Sequence, residues 1–417
     1  MTHFGILCMA GTGHINTMFP LGQELQRRGH RVTVLSASEV PMKAEAGFNF
    51  CSVYSETIGR RKQPSKTNKS SNLASLQQTL QRFALIAETR LQTAPAIIRK
   101  QGIEALLIDV SVFEGGTIAE YLKLPYVTVC CILPFYQDLA IPPIFTTWQY
   151  HPGWWAKLRN QVAYSLLNRL AKPTWKVISR YRQRWQLPAY RHPNDVFSDL
   201  AIITRHVKEF EFPRQLPPHF HFTGPFHHST QRQPVPFPDE QLNGQPLIYA
   251  SMGTVQNHFR AIFYTIAAAC ADLDVQLIIS LGGRLDPEAL PDLPSNPLVV
   301  KYAPQLALLQ KASLAITHAG LNTALESLSY GVPMVAIPIT DDQPGVAARI
   351  AWTGTGEVVT PSRLDVTTLR AAIAQGLTGS HKQNVIRLQK VIHQTRGVVH
   401  ACDIAEQAVL TRKPVMN

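Results

Sequence analysis

The chain has 417 residues, 45% of them hydrophobic and 16% charged, with a formal net charge of +12 at pH 7. That length is enough for two ordinary domains with separate cores, and no window approaches the ~18 consecutive apolar residues of a membrane-spanning helix. The positive excess implies attraction to something anionic: nucleic acid, a membrane face or an acidic substrate.

The first predicted element is a strand over 4–9, which lacks the basic flank of an export signal. Ala10 to His14 forms a Gly-rich turn, 19–28 a helix closed by Gly29, and 31–35 the next strand, together a βαβ unit. Gly11-x-Gly13 begins a dinucleotide fingerprint, but Asn16 stands at its third glycine and the match fails. His14, where a strand passes into a helix, points its ring into the crevice above the sheet. There it is either a general base or a histidine satisfied by local backbone. The apolar run 106–109 is a strand ending in Asp109, which can cap the helix predicted over 112–122; 125–130 is the following strand. Six cysteines (Cys8, Cys51, Cys130, Cys131, Cys270 and Cys402) have no CxxC spacing. They read as reduced, mostly buried thiols of a cytosolic protein.

Two basic stretches follow the first strands. Residues 57–87 read as a loop carrying Arg60, Arg61, Lys62, Lys66 and Lys69 with no acid among them. Residues 139–194 also lack Asp and Glu, yet carry nine Lys or Arg and five of the six tryptophans: Trp148, Trp154, Trp155, Trp175 and Trp185. Tryptophan mixed with cations suits a helix lying on an anionic membrane face through residues 148–185. Nucleic acid is a weaker partner because no binding motif accompanies the patch. The competing reading is an acceptor-pocket helix pair whose rings pack inside and whose charges are solvated.

A strand over 201–204 ends the first domain, and the Pro-rich stretch from Gly224-Pro225 through Pro238 is a linker. Residues 247–250 start a second sheet, and Ser251-Met252-Gly253-Thr254 is a strand-to-helix turn able to hydrogen-bond a phosphate. Strands over 275–280, 298–301, 314–317 and 334–337 continue that sheet, with helices between and after them. Between the last two, His318-Ala319-Gly320 runs into a helix from Leu321. Free backbone N–H groups and the helix dipole at such a turn favour an anion such as a phosphate. His318, Asn322 and Thr323 sit on the turn, and Glu326, one turn later, can accept from two ribose hydroxyls. The loop around Asp341, Asp342 and Gln343 suits the hydroxyls of a hexose.

Pro304-Gln305, His318, Gly320, Asn322-Thr323, Glu326, Pro333 and Asp342-Gln343 match, in order and spacing, the WxPQ…HxGxNSxxE…P…(D/E)Q signature. The chain therefore resembles the family 1 (UDP-dependent) glycosyltransferases. It departs from the plant pattern at Tyr302, where tryptophan stacks on uracil, and at Leu321. Gly13-His14 through Val32 is similar to the family's GHxxPxxxLxxxLxxRGHxV pattern. The resemblance implies two Rossmann-like α/β domains facing across a cleft (GT-B). It implies His14 as base with Asp109 supporting it. It implies a donor site of Ser251, Gly253, Thr254, Tyr302, Ala303, Gln305, His318, Gly320, Asn322, Thr323, Glu326, Asp342 and Gln343.

The expected division is an acceptor domain over 1–225, a linker over 226–245, a donor domain over 246–395, and a terminal helix in 396–417 crossing back to the first. The implied reaction is inverting transfer of a hexose, glucose from UDP-glucose, with no cofactor and no metal, since Asp341-Asp342 is not spaced as a DxD site and no His/Cys cluster is expected. The runs 4–33, 249–258, 316–323 and 341–350 are most similar to bacterial carotenoid glucosyltransferases. They imply a lipophilic acceptor such as a hydroxylated carotenoid, met at the cytoplasmic face of a membrane. A soluble macrolide- or flavonoid-type acceptor is the alternative within the class. A non-catalytic sugar-nucleotide-binding partner is the alternative outside it.

Overall fold

The computed structural model describes residues 1–36, 47–53, 72–226, 235–254, 260–283 and 285–417. Seven parallel strands form the first sheet: β1 (His3–Leu7), β2 (Arg31–Ser36), β3 (Asn49–Ser52), β4 (Ala105–Asp109), β5 (Tyr126–Cys130), β6 (Ile202–Thr204) and β7 (Phe220–Phe222). Their spatial order is β3-β2-β1-β4-β5-β6-β7. Helices α1 (Thr12–Arg27), α2 (Asn72–Gln101), α3 (Gly115–Leu122), α4 (Trp154–Leu170) and α5 (Lys172–Arg184) accompany it. The central strands are apolar on both faces, as in β1 and β4, where every residue is buried, which is what helices on both sides of a parallel sheet require.

The second sheet contains β8 (Leu247–Ser251), β9 (Gln276–Ser280), β10 (Leu298–Val300), β11 (Ala312–Thr317), β12 (Met334–Ala336) and β13 (Gly356–Val358), ordered β10-β9-β8-β11-β12-β13. With it go α6 (Arg260–Cys270), α7 (Gln305–Lys311), α8 (Leu321–Ser329), α9 (Gln343–Trp352), α10 (Val366–Leu377) and α11 (Gly379–His393). The terminal helix α12 (Gly397–Thr411) packs Val398, Ala401, Cys402 and Ala405 into the core beneath β1 and α1. Arg28 reaches across to Asp403 and Glu406. Both sheets thus have the 3-2-1-4-5-6 order in which the strands reverse direction of growth at one point, between β1 and β4 and between β8 and β11. Ligands of doubly wound sheets lie outside the carboxyl ends of the strands at that point.

Three sequence expectations are corrected. The first helix begins at Thr12, not 19, so His14 lies in its first turn. Pro20 sits inside the helix at the cost of one hydrogen bond, while Thr17 Oγ1 adds a bond back to Gly13 O. The loop expected over 57–87 is helix from Asn72 onward; residues 57–71, with its five named cations, lie outside the described residues. Ile86, Ala87, Leu91, Ala94 and Ile98 are buried at three- and four-residue spacing, and that packing decides the helix. Strand 201–204 is not the last of its sheet, because β7 pairs beyond it. Three residues are too few for an alternating pattern to show in sequence.

All six cysteines are free thiols, and five of them are buried. Among the described residues no helix is long and apolar enough to cross a membrane.

Candidate active site

The two reversal points face each other. At the first, β4 delivers Asp109 at its end, fully buried, and α1 delivers His14 from its first turn. His14 Nδ1 is 2.6 Å from Asp109 Oδ2. The carboxylate also accepts from Met9 N (3.2 Å) and Ser111 N (3.0 Å), so its ring-facing oxygen is held in one place. Burial would pull the His14 imidazole down, but the Asp109 charge and hydrogen bond outweigh it and raise the pKa. Burial alone would raise Asp109, and the His14 charge with its hydrogen bonds carries it below the ordinary carboxylate value instead.

Cys131 is a neighbour that sequence spacing did not single out. Its Sγ, a His14 ring nitrogen and an Asp109 oxygen lie within 4.8 Å of one another, so a His/Cys/Asp cluster exists where none was expected. Burial pushes the Cys131 thiol well above its usual pKa, and Asp109 already serves His14 and two backbone donors. Arg205, 5% exposed, also lies close enough to depress His14 somewhat. Only the tertiary fold brings it there.

At the second reversal point, β8 ends in Ser251 and β11 in Thr317, and the turns that follow interlock around one ring. Gly253 lies at φ +70, and a Cβ on it would stand 2.5 Å from His318 Cε1; one on Gly320 would stand 2.6 Å from His318 Nε2. Both glycines are therefore needed for space, and the left-handed residue of the turn is Ala319 at φ +62, not Gly320. A non-glycine residue held there stores strain of about 1–3 kcal/mol, a feature that clusters at ligand clamps. Packing pushes the His318 pKa down to about 4, so the ring is neutral, and its Nδ1 is buried without a hydrogen-bond partner. Gly320 N-caps α8 with no side-chain cap, which leaves the helix's first N–H groups directed into the cleft.

The other donor-side candidates surround this turn. Gln305, at the start of α7, donates to Glu326 Oε2 (2.5 Å) and Thr323 Oγ1 (3.4 Å) and accepts from Tyr249 OH (3.0 Å). Ala303 is buried; Tyr302 is half-exposed, its ring beside Gly283. Ser251 Oγ accepts from Gly253 N (3.3 Å), and Thr254 is half-buried. Asp342 is buried, which raises its pKa, and accepts from Leu133 N of the first domain (3.4 Å). Gln343 Oε1 accepts from Ile339 N and Thr340 N and so shapes the loop.

Across the cleft, Asn322 Nδ2 donates to Gly13 O at 3.3 Å, joining the α8 turn to the turn that carries His14. The segment after β5 makes further crossings: Gly345 N to Ile144 O (2.8 Å) and Gln149 Nε2 to Ala348 O (3.2 Å). In the aromatic-rich stretch the two expectations divide. Trp175 and Trp185 are partly buried, against Phe113 and Tyr121, whereas Trp148, Trp154 and Trp155 of the loop and α4 are exposed.

Two facing doubly wound sheets, with a His–Asp couple on one and a phosphate-receptive turn on the other, define the GT-B class of sugar-transferring enzymes. The chain belongs to the family described as UDP-glucoronosyl and UDP-glucosyl transferase, whose model matches residues 6–405, and it is a glycosyltransferase. It is 30% identical to a zeaxanthin glucosyltransferase of Pseudescherichia vulneris over 98% of both chains. It is 29% identical to that of Pantoea ananas over 100% of this chain and 98% of the other. In fold it is similar to the solved glycotransferase of kitacinnamycin, with TM-score 0.77 and 20% identity, covering 98% and 99% of the two chains.

Proposed function

We propose that the protein transfers glucose from UDP-glucose, with inversion and without a metal, to a hydroxyl of a lipophilic acceptor, a hydroxylated carotenoid such as zeaxanthin. The observation that carries the reading is the 3.3 Å contact of Asn322 with Gly13, which sets the α8 N-terminus opposite the His14–Asp109 couple. His14, its Nδ1 engaged by Asp109, takes the acceptor proton on Nε2. The acceptor oxygen forms a bond to the anomeric carbon as the bond to the diphosphate oxygen breaks. That oxygen keeps the electron pair and leaves as UDP, and the imidazolium later gives its proton to solvent. Asp109 stabilises the imidazolium. The α8 N–H groups, neutral His318, Ser251, Gly253 and Thr254 meet the charge growing on the diphosphate. Gln305, Thr323 and Glu326 hold the ribose side, Tyr302 and Ala303 the base, and Asp342 with Gln343 the hexose. The relatives named for zeaxanthin support the acceptor class. Six free thiols support a reducing compartment, hence a cytoplasmic enzyme reaching its acceptor at the inner face of a membrane.

The deciding experiment incubates the protein, with and without chelator, with a panel of sugar nucleotides and with hydroxylated carotenoids or soluble polyketide aglycones. Products are read by mass and anomeric configuration by NMR. Glucosylated carotenoid of inverted configuration, unaffected by chelator, is expected. Transfer confined to soluble aglycones would overturn the acceptor class, and retention of configuration would overturn the mechanism.

A further inference from the structure

On α4, Trp154, Leu158, Val162 and Leu166 are 76%, 52%, 63% and 57% exposed, a helical stripe of large apolar side chains facing solvent. The helix meets the protein through its other face, where Ala156, Asn160 and Tyr164 are buried. Trp148 and Trp155 extend the stripe sideways, and between them and the helix runs an open groove of about 460 Å³. The Arg159 guanidinium lies 4.4 Å and 5.4 Å from those two ring centroids and donates to Gln149 O and Asn160 Oδ1. It braces the rings outward. Scattered exposed apolar residues need no explanation, but a contiguous, braced stripe marks an interaction surface.

We propose that this face of α4 docks on an anionic lipid surface, the stripe entering the headgroup boundary and the flanking cations meeting lipid phosphates. Charge selects this occupant. Residues 139–194 contain no acid, and Lys157, Arg169, Lys172 and Lys176 are exposed and form no ion pair among the described residues. A second copy packed isologously would set two such acid-free faces against each other, and like charges repel. An anionic bilayer attracts the same cations, and tryptophan rings settle at its headgroup level. Position adds to the argument. The segment leading into α4 passes Cys131 beside His14, Leu133 on Asp342 and Ile144 on Gly345 before it reaches Trp154. The stripe therefore continues directly from the chain that floors the cleft. Resting on the lipophilic-acceptor reading, this places the cleft where a membrane-dissolved alcohol would enter.

The test is flotation of the full-length protein with vesicles of phosphatidylcholine alone or mixed with phosphatidylglycerol. The protein should float with the mixed vesicles only and be released by salt. The triple variant Trp154→Ser/Leu158→Gln/Val162→Gln should lose bound fraction by roughly tenfold or more, as should Lys157→Glu/Arg169→Glu. Both should keep the wild-type Tm and turnover on acceptor dispersed in detergent. Wild-type protein that stays unbound, binds neutral vesicles equally well, or floats undiminished with the stripe substituted would overturn the proposal. So would a wild-type dimer that the stripe variant converts to monomer without any flotation, which would assign the face to a second copy. Protein that floats as expected but glucosylates no lipophilic acceptor would sink the proposed function and leave the docking surface standing.

Discussion

In the proposed mechanism His14 and Asp109 set the pH dependence. The proposed reaction requires a neutral imidazole, and Asp109 raises the His14 pKa, so kcat/KM should fall as pH drops through a value above the ordinary ~6.5. Asp109→Asn removes the charge that raises it and leaves the burial that lowers it. The inflection should move to lower pH while turnover falls by roughly 10²–10⁴-fold. A pH–rate profile of both proteins checks this, and an inflection that stays put would exclude Asp109 as its cause. On the donor side the critical residue is a glycine. Gly253→Ala sets a Cβ 2.5 Å from the His318 ring and forces alanine to φ +70. UDP affinity by calorimetry should drop about tenfold or more, since both ring and turn must shift.

Among the elements, α9 carries a buried ion pair between the domains. Arg349, fully buried, donates from Nε to Glu211 Oε1 of the first domain at 2.9 Å and stacks over Phe212. Burial would raise the Glu211 carboxyl, but Arg349, His206 and Arg214 hold it far below its usual range, so it is an anion at neutral pH. Arg349→Ala removes the strongest of the three partners of that anion, leaving His206 and Arg214, and should cost up to about 3–5 kcal/mol in denaturant unfolding. Arg349→Met/Glu211→Leu, which removes the anion with its main partner but leaves buried Arg214 without its carboxylate, should recover part of the loss. Equal destabilisation by the single and double variants would show that packing, not the unpaired charge, is responsible. None of this was readable from periodicity, because Glu211 and Arg349 are 138 residues apart and look like ordinary surface charges in sequence.

For the whole molecule, the two chain crossings between domains touch. A Cβ on Gly224, at φ +85, would overlap Thr395, and one on Gly397, at φ +45, would overlap Pro225 O. Gly224→Ala should therefore lower the Tm by several degrees, consistent with ~1–3 kcal/mol of overpacking and strain. Adding Thr395→Gly should return part of it, read by calorimetry. A Gly224→Ala protein with unchanged Tm would mean that the crossings can separate freely.

The chain by itself determined what depends on neighbours in sequence. Apolar runs between helical stretches point to two doubly wound α/β halves, and the Gly13-His14 and His318–Glu326 turns hold their residues within fewer than ten positions each, so that their resemblance to a family signature made the class of enzyme legible. Tertiary structure alone decided what depends on distant packing. It started α1 seven residues early, extended α2 into an expected loop, and added β7 at an edge. It brought Cys131 and Arg205 to the His–Asp couple, buried Glu211 with Arg349, and turned the Trp154 stripe outward while Trp185 turned in. The reason is physical: turn geometry and side-chain period are local properties of the backbone, whereas burial and charge pairing are set by whichever surfaces the fold brings into contact.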